Sequence, residues 1–442
     1  MLTAYKVVSL TVLLSFILFP CRSQNYLGYT VDNYAGVHAV SYNPAMIVSK
    51  YQKTDINLAS VSAFGGSDYF GIDVGSLIST HDVFTFDDDA IRFPEDNNNF
   101  FANADILGPS AMFRLNHKSS IGFITRVRGL FNLSEINGRL YENLVNQFEN
   151  DEDFSFDSQN LTGTLHAWTE IGVSYGRVLL KRSQHELTGG ITLKYLMGAG
   201  GLFASSPGLE GEFIGDTETL QTQGFLNYGK TQDFDRDNVL FDNLEYGLGL
   251  DLGFVYKWSK NTDGDDAPSQ NSYKLKIGVS VTDIGSINYD QAEITSYNLN
   301  ASVSTSTFQE DIEEFLDNNY DSTADNQNAR IQLPTALHLL VDYHLTKKWF
   351  VSVQSDVSLV ERRVERSNTI TNVLTFSPRF ETKWFSFYLP VSLRQSEDVV
   401  VGGGFRLGPL SVGSGSVFSN FLSDSSKTAD VFVGLKIPLY NK

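Results

Sequence analysis

Cysteine is almost missing from this chain of 442 residues, and the one it has, Cys21, lies near the amino terminus. Positive charge is short as well: 33 Lys and Arg stand against 52 Asp and Glu, a formal charge of −19. Beyond Phe19 no run approaches the ~18 uninterrupted apolar residues that a membrane-crossing helix needs. There is no G-x-S-x-G, no H-E-x-x-H and no cysteine-based metal spacing. Each absence excludes something. With so little cysteine, a disulfide framework is out, and an exported form must rely on packing or a hydrogen-bonded scaffold. The acidic balance speaks against nucleic acid as a partner and against a polybasic membrane anchor. With the motifs missing, no catalytic residue, metal ligand or cofactor is expected, and the chain reads as a non-enzyme.

The first residues are the one apolar run. In MLTAYKVVSLTVLLSFILFPCRSQ, Lys6 precedes an apolar segment from Val7 to Phe19, and small or polar residues follow. That is the pattern of a secretory signal peptide over residues 1–23, with cleavage expected near Ser23/Gln24. Pro20 before Cys21 is a poor lipid-attachment box, so lipidation is not expected. Loss of Lys6 and Arg22 would take the formal charge from −19 to −21.

What the sequence has is aromatics and small residues: 32 Phe, 20 Tyr and 36 Gly, the composition of a β-rich chain. The stretch EYGLGLDLGFVYKW (245–258) puts Tyr246, Leu248, Leu250, Leu252, Phe254, Tyr256 and Trp258 on one face. Gly247, Gly249, Asp251, Gly253, Val255 and Lys257 fall on the other. Twelve steps of strand span roughly 40 Å, or about 28 Å of bilayer normal at a 45° tilt, enough for an apolar band of about 25 Å. A soluble sandwich strand also alternates but is usually about five or six residues long. The alternation recurs at 168–176, 273–281, 336–345 and 349–359. Less regular runs cover 55–64, 69–78, 104–115, 120–130, 185–196, 372–381, 383–394, 398–407, 409–418 and 429–440. Short polar turns alternate with long acidic stretches at 79–103, 131–164, 197–243 and 287–333, which are expected to be loops outside the cell. The fold class is therefore all-β: a transmembrane antiparallel up-and-down barrel over residues 55–442. Residues 24–54 do not alternate, yet their Tyr, Val, Met and Ile argue for burial as a hatch inside the lumen. The segment 308–321 is expected to be helical, with Phe308, Ile312, Phe315 and Leu316 on one side, as a lid or a partner-facing element.

Parity assigns lumen-facing charges: Glu170, Asp251, Lys257, Lys274, Lys276, Asp342, Asp356, Arg394 and Lys436. A salt-bridge network bracing the hatch is the default reading, a polar substrate path the sharper one. His338 and His344 line the same face, but six residues of strand is about 20 Å, too far to share a metal or a triad. Asp342 and His344 are near enough to interact. The TDGDD turn at 262–266 lacks the rest of an EF-hand loop and reads as solvated carboxylates.

At SYNPA (41–45) the sequence resembles the FadL-type transporter superfamily. It looks closest to the PorV-like and uncharacterised FadL-like barrels of Bacteroidetes outer membranes. IGVSVTDIGSINY (277–289), LPTALHLLVDYHL (333–345) and GFRLGPLSVGSGSVFSNFL near the end agree, while the G-x-x-Φ-x-Φ pattern through Gly434, Ile437 and Leu439 of the last strand resembles the signal that barrel-assembly machinery reads. The resemblance implies a barrel of about 14 strands in the outer membrane of a diderm bacterium, with Asn43, Pro44 and Ala45 as a hatch element. It implies binding or transport of a hydrophobic small molecule, with outer-membrane lipid and lipopolysaccharide around the belt. The alternative it carries is a non-catalytic scaffold or accessory subunit, PorV-like, whose partners are secretion-system proteins.

Overall fold

Period-two alternation decides the architecture, because a sheet with one apolar and one polar face must either stack on another sheet or close on itself. This one closes. A computed structural model describes residues 26–440 apart from 76–89, 150–151, 232–243, 260–272, 307, 309–310 and 396. The expected signal peptide and the TDGDD turn lie outside those residues. The wall is a closed antiparallel barrel of 14 strands. They are β1 (Gln52–Ser67), β2 (Asn98–Leu107 with Ser110–Arg114), β3 (Ser119–Ile136), β4 (Phe154–Arg182), β5 (His185–Ile214), β6 (Thr219–Lys230 with Glu245–Trp258) and β7 (Leu275–Asn298). The second half is β8 (Asp321–Gln332 with Ala336–Thr346), β9 (Trp349–Ser358), β10 (Val373–Glu381), β11 (Phe385–Tyr388 with Val391–Arg394), β12 (Glu397–Val401 with Gly403–Leu407), β13 (Leu410–Ser414) and β14 (Thr428–Tyr440). β14 pairs with β1 from Gln52↔Tyr440 to Gly66↔Thr428, so the ring has no open edge at that seam.

The faces follow the alternation. Along β14, Val431, Val433, Leu435, Ile437 and Leu439 are exposed on the outside, while Phe432 and Lys436 are buried within. Along β6, Tyr246, Leu248, Leu252 and Phe254 point out, and Asp251, Gly253 and Val255 are buried. Tight turns at 115–118, 183–184, 347–348, 382–384 and 408–409 gather at one end, the turn end, where β14 finishes. The opposite end is the loop end.

The wall is uneven in height. β4 and β5 run for 29 and 30 residues, and β13 for five. This corrects the expected loops: strand makes up half of 131–164 and more than half of 197–243 and 287–333, as the upper parts of β3 to β8. Above the ring these extensions enclose their own core of Phe148, Phe154, Phe213, Phe308, Phe315 and Tyr320. Helices α2 (Gly138–Val145) and α3 (Ile312–Asn319) pack into that core; α1 (Val37–Tyr42) belongs to the hatch below. Asp311 caps α3 by accepting the Glu314 N–H at 3.1 Å. Phe308, Phe315 and Leu316 are buried as the periodicity predicts, but Ile312 is 47% exposed. Two more runs differ. Of 69–78 only Phe70–Ile72 is described as strand, paired with Ala90–Arg92 outside the ring. The run 409–418 stops at Ser414 and turns into helix α4 (Val417–Leu422).

Candidate functional site: hatch, lumen charges and a gap in the wall

The hatch is a short helix α1 (Val37–Tyr42) followed by a 3-10 turn, Pro44–Ile47, with Asn43 between them. Asn43 does three things. Its Oδ1 accepts the Ala45 N–H at 2.9 Å, capping the turn, where Pro44 has no N–H that needs an acceptor. Its Nδ2 donates to the carbonyls of Phe254 on β6 (3.2 Å) and Val279 on β7 (3.1 Å). The wall makes room for this with a row of inward glycines, one on each of five successive strands. A Cβ on Gly122 or Gly176 would meet Ile47 at 2.9 or 2.4 Å. On Gly190 it would meet the Pro44 and Ala45 backbone at 2.3 Å, on Gly253 Asn43 Oδ1 at 2.2 Å, and on Gly278 Asn43 Nδ2 at 3.4 Å. Those small residues on the lumen face are therefore a groove in which Asn43 to Ile47 lie. Asn43→Ala removes both wall bonds and the cap, so the barrel should lose about 3 kcal/mol. The check is the temperature at which folded barrel loses its SDS-resistant mobility.

Further contacts hold the rest of the hatch. Asp32 pairs with Arg406 of β12 at 3.1 Å, both fully buried. Lys436 of β14 pairs with Asp55 at 3.0 Å and donates to the carbonyls of Ala35, at 2.9 Å, and Tyr34. His38 is bonded to Ser60 Oγ at 2.9 Å, and burial pushes its imidazole down to about 3, so it stays neutral.

The lumen charges assigned from parity fall into separate groups. Glu170 meets Arg128 at 3.1 Å and Lys194 at 3.5 Å, and Asp251 meets Lys194 at 2.8 Å. Lys276 and Arg379 share Asp342, at 3.1 and 3.2 Å. Arg394 pairs with Asp430 at 2.5 Å. Lys257 lines a cavity of about 40 Å³ at the turn end with Lys50, Lys181 and Glu186. Lys274 is not part of the lumen: it precedes β7, donates to the His344 carbonyl at 2.6 Å and lies over the outward Tyr343 ring at 4.5 Å. Parity missed Asp283, which donates its backbone N–H to Asp251 and accepts from Lys194 (2.6 Å) and Arg128 (2.8 Å). An extra residue in β7 between the pairs Leu250↔Ile284 and Leu252↔Val281 turns Asp283 inward, with φ at 58°. No periodicity in the sequence announces such a bulge.

The histidines also separate. His338 bonds Asp356 on β9 through Nδ1 (2.9 Å) and Thr282 on β7 through Nε2 (2.8 Å). Asp342 and His344 do not interact; His344 stacks on Phe350 at 4.3 Å. The Thr282–His338–Asp356 chain has hydroxyl, imidazole and carboxylate in line, but the cavity beside it is only about 50 Å³. The three side chains tie β7, β8 and β9 together across the lumen face.

Beside β13 the wall has an interval without a ladder. β13 ends at Ser414, opposite Gly403 of β12. Above that level β12 pairs only with β11, and β14 only with β1. Helix α4 lies over the interval. Ser419 Oγ accepts the Val401 N–H (2.8 Å), and Asp430 accepts from Gly415 N–H (2.6 Å), Ser416 Oγ (3.1 Å) and Arg394. On the outside Phe418, Phe421 and Leu422 are exposed, Leu422 by 86%, between Val399 and Val431 of the apolar band. A Cβ on Gly403 would come within 2.7 Å of the Phe418 ring, so α4 packs on the outer face. On the inside a Cβ on Gly415 would be 2.7 Å from Leu27 of the hatch, beside the cluster of Tyr26, Tyr29, Tyr388 and Phe432.

No curated protein matches the chain. Among solved structures it is similar to the Ralstonia pickettii toluene transporter TbuX, at 9% identity over 92% of this chain and 94% of that one, with a TM-score of 0.44. It is similar also to a FadL homologue of Pseudomonas aeruginosa, at 10% identity over 95% and 99%, TM-score 0.44. The Pseudomonas putida toluene transporter TodX matches at 9% identity over 92% and 95%, TM-score 0.44. A family model described as "Family of unknown function (DUF5723)" matches residues 44–415, and the chain belongs to that family.

Proposed function

We propose that the protein is an outer-membrane channel of a diderm bacterium that passes an apolar small molecule, FadL-like, from the lumen sideways into the bilayer between β12 and β14. The loop end faces outward and the turn end the periplasm. The interval above β13 carries this reading. Parting two laddered wall strands breaks a row of backbone hydrogen bonds; here the side-chain bonds of Asp430 and Ser419, each worth about 1 kcal/mol, and the packing of Phe418 hold α4 in place. The interval also has apolar surface on both sides, lipid-facing rings on α4 and the aromatic cluster of the hatch behind it. The test is a Ser416→Cys/Asp430→Cys pair, introduced where the side chains are 3.1 Å apart. In cells expressing it, uptake of a labelled monoaromatic hydrocarbon should fall to the empty-vector level on oxidation and return on reduction. Uptake indifferent to oxidation removes the sideways route, and uptake never above the vector control removes transport.

One observation favours the second reading, a non-catalytic accessory subunit of a secretion or surface-assembly complex. The upper segment of β8 is exposed on both faces from Asp321 to Asn328 and pairs only with β7. A strand free on one edge and both faces offers itself to another protein. A partner recovered near one-to-one from mild detergent would support it.

A further inference from the structure

Residues 359–372 connect β9 to β10, which are neighbours in the wall, yet the segment does not stay beside them. Ser367, Asn368 and Thr369 are 6%, 0% and 9% exposed. The Oδ1 of Asn132 on β3 accepts from Asn368 Nδ2 (3.2 Å) and from the Thr369 N–H (3.1 Å), and Asn132 Nδ2 donates to the Thr369 carbonyl at 3.1 Å. Thr162 Oγ1 on β4 donates to the Arg362 carbonyl at 2.8 Å. The Arg366 guanidinium lies 5.7 Å over the Phe203 ring of β5. In a ring of 14 strands, β3 and β4 stand six places from β9 and β10, one short of half-way round. The segment therefore crosses the lumen as a strap. Arg362 ties it at two further points, to Asn99 Oδ1 (3.1 Å) and Gln395 Oε1 (2.5 Å).

Two cavities meet at the strap. On the loop-end side is one of about 420 Å³, lined among others by Glu135, Leu359, Val360, Arg362 and Asn372. Toward the hatch is one of about 50 Å³, lined among others by Tyr26, Ser41, Arg126, Asp283 and His338. Ile370 lines both, and it is the residue they have in common. The outer volume falls in the range of small-molecule sites, roughly 300–1,000 Å³. The inner one holds a few waters.

We infer that the strap 359–372 is the barrier that divides the lumen, and that Ile370 sets the size of what passes from the outer cavity to the inner one. The inference rests on the lumen being a passage, as proposed above, but not on the ligand or on the interval beside β13. The strap is held by one backbone bridge to Gln332 of β8, through Arg366 and Asn368, and otherwise by side-chain bonds, with Asn132 as the anchor on the far wall. A ligand seated against Leu359, Val360 and Ile370 reaches the hatch only by lifting that residue.

The near absence of cysteine gives a direct test. Ser41→Cys places a thiol in the inner chamber, and its reaction rate with methanethiosulfonate reagents of increasing size is followed on protein in nanodiscs. In the parent background the thiol should react slowly and only with the smallest reagent. Adding Ile370→Gly should raise the rate tenfold or more and admit larger reagents; Asn132→Ala, which frees the strap without touching the cavity lining, should do the same to a smaller extent. Retained SDS-resistant mobility shows that each variant is folded. Rates equal in all backgrounds overturn the inference. A rate increase in a protein that takes up no apolar probe leaves the strap as the barrier and removes the transport reading, so the two can fail separately.

Discussion

Gly190→Val should unseat the hatch. The Cβ of any residue at 190 would stand 2.3 Å from backbone atoms of Pro44 and Ala45, and backbone cannot swing aside as a side-chain tip can. Asn43 to Ile47 must then leave the groove, losing the bonds from Asn43 to Phe254 and Val279 and the seat of Ile47 beside Gly122 and Gly176. Overpacking costs about 1–3 kcal/mol and each lost bond about 1 kcal/mol, so a total of about 4 kcal/mol is expected. The readouts are the melting temperature of the SDS-resistant form and limited proteolysis, with cleavage appearing within 26–51. Gly129→Val is the matched control, because a Cβ there has nothing within 4 Å. If the two variants melt alike and the hatch resists protease in both, the groove does not hold it.

Asp283→Ala should be the most damaging single change among the lumen charges. It takes from Arg128 and Lys194, both nearly fully buried, the nearer of the two carboxylates they share, leaving Glu170 at 3.1 and 3.5 Å, and removing one partner of a buried ion pair costs about 3–5 kcal/mol. Asp283→Asn should cost less. Its carbonyl oxygen still accepts from one of the two cations, and the cluster of Arg126, Arg128 and Lys194 with Asp105, Glu170, Asp251 and Asp283 has one carboxylate in excess among the described residues. Unfolding by urea in lipid vesicles, followed by tryptophan fluorescence, gives both values. Trp168 reports locally, since its Nε1 donates to Glu170 at 2.8 Å. Equal midpoints for Ala, Asn and the parent would show that the bulge does not serve this cluster.

The contrast between Gly190 and Asp283 shows where reading the sequence reaches and where it stops. Glycine on the polar parity of successive strands was visible in runs such as 245–258, and so was the isolated Asn43-Pro44-Ala45. That the two fit together was not, because nothing local sets the register of five strands against a hatch more than 70 residues upstream of the nearest of them. Glu170, Asp251, Lys276 and Asp342 could be placed on the lumen face because parity holds while a strand is regular. Asp283 could not, because one inserted residue reverses parity from that point on. Lys274 failed for the opposite reason: it stands before the strand starts, where parity has no meaning. The stretches 131–164, 197–243 and 287–333 read as loops because they are acidic and poorly alternating. Much of each is strand all the same, since above the ring the extensions turn their aromatic side chains onto a core of their own, while residues such as Ser155, Asp157 and Gln159 stay exposed on the other face.

By itself, then, the sequence determined the alternation, the apolar outer face, the closed antiparallel ring and the presence of a hatch. Each follows from side chains meeting a face of the sheet one at a time. The tertiary structure alone decided the glycine groove, the bulge at Asp283, the strap at Ile370 and the early end of β13 under α4. Each of these depends on chain segments distant in sequence approaching to within a hydrogen bond, and the energy of that approach is written in no single stretch of residues.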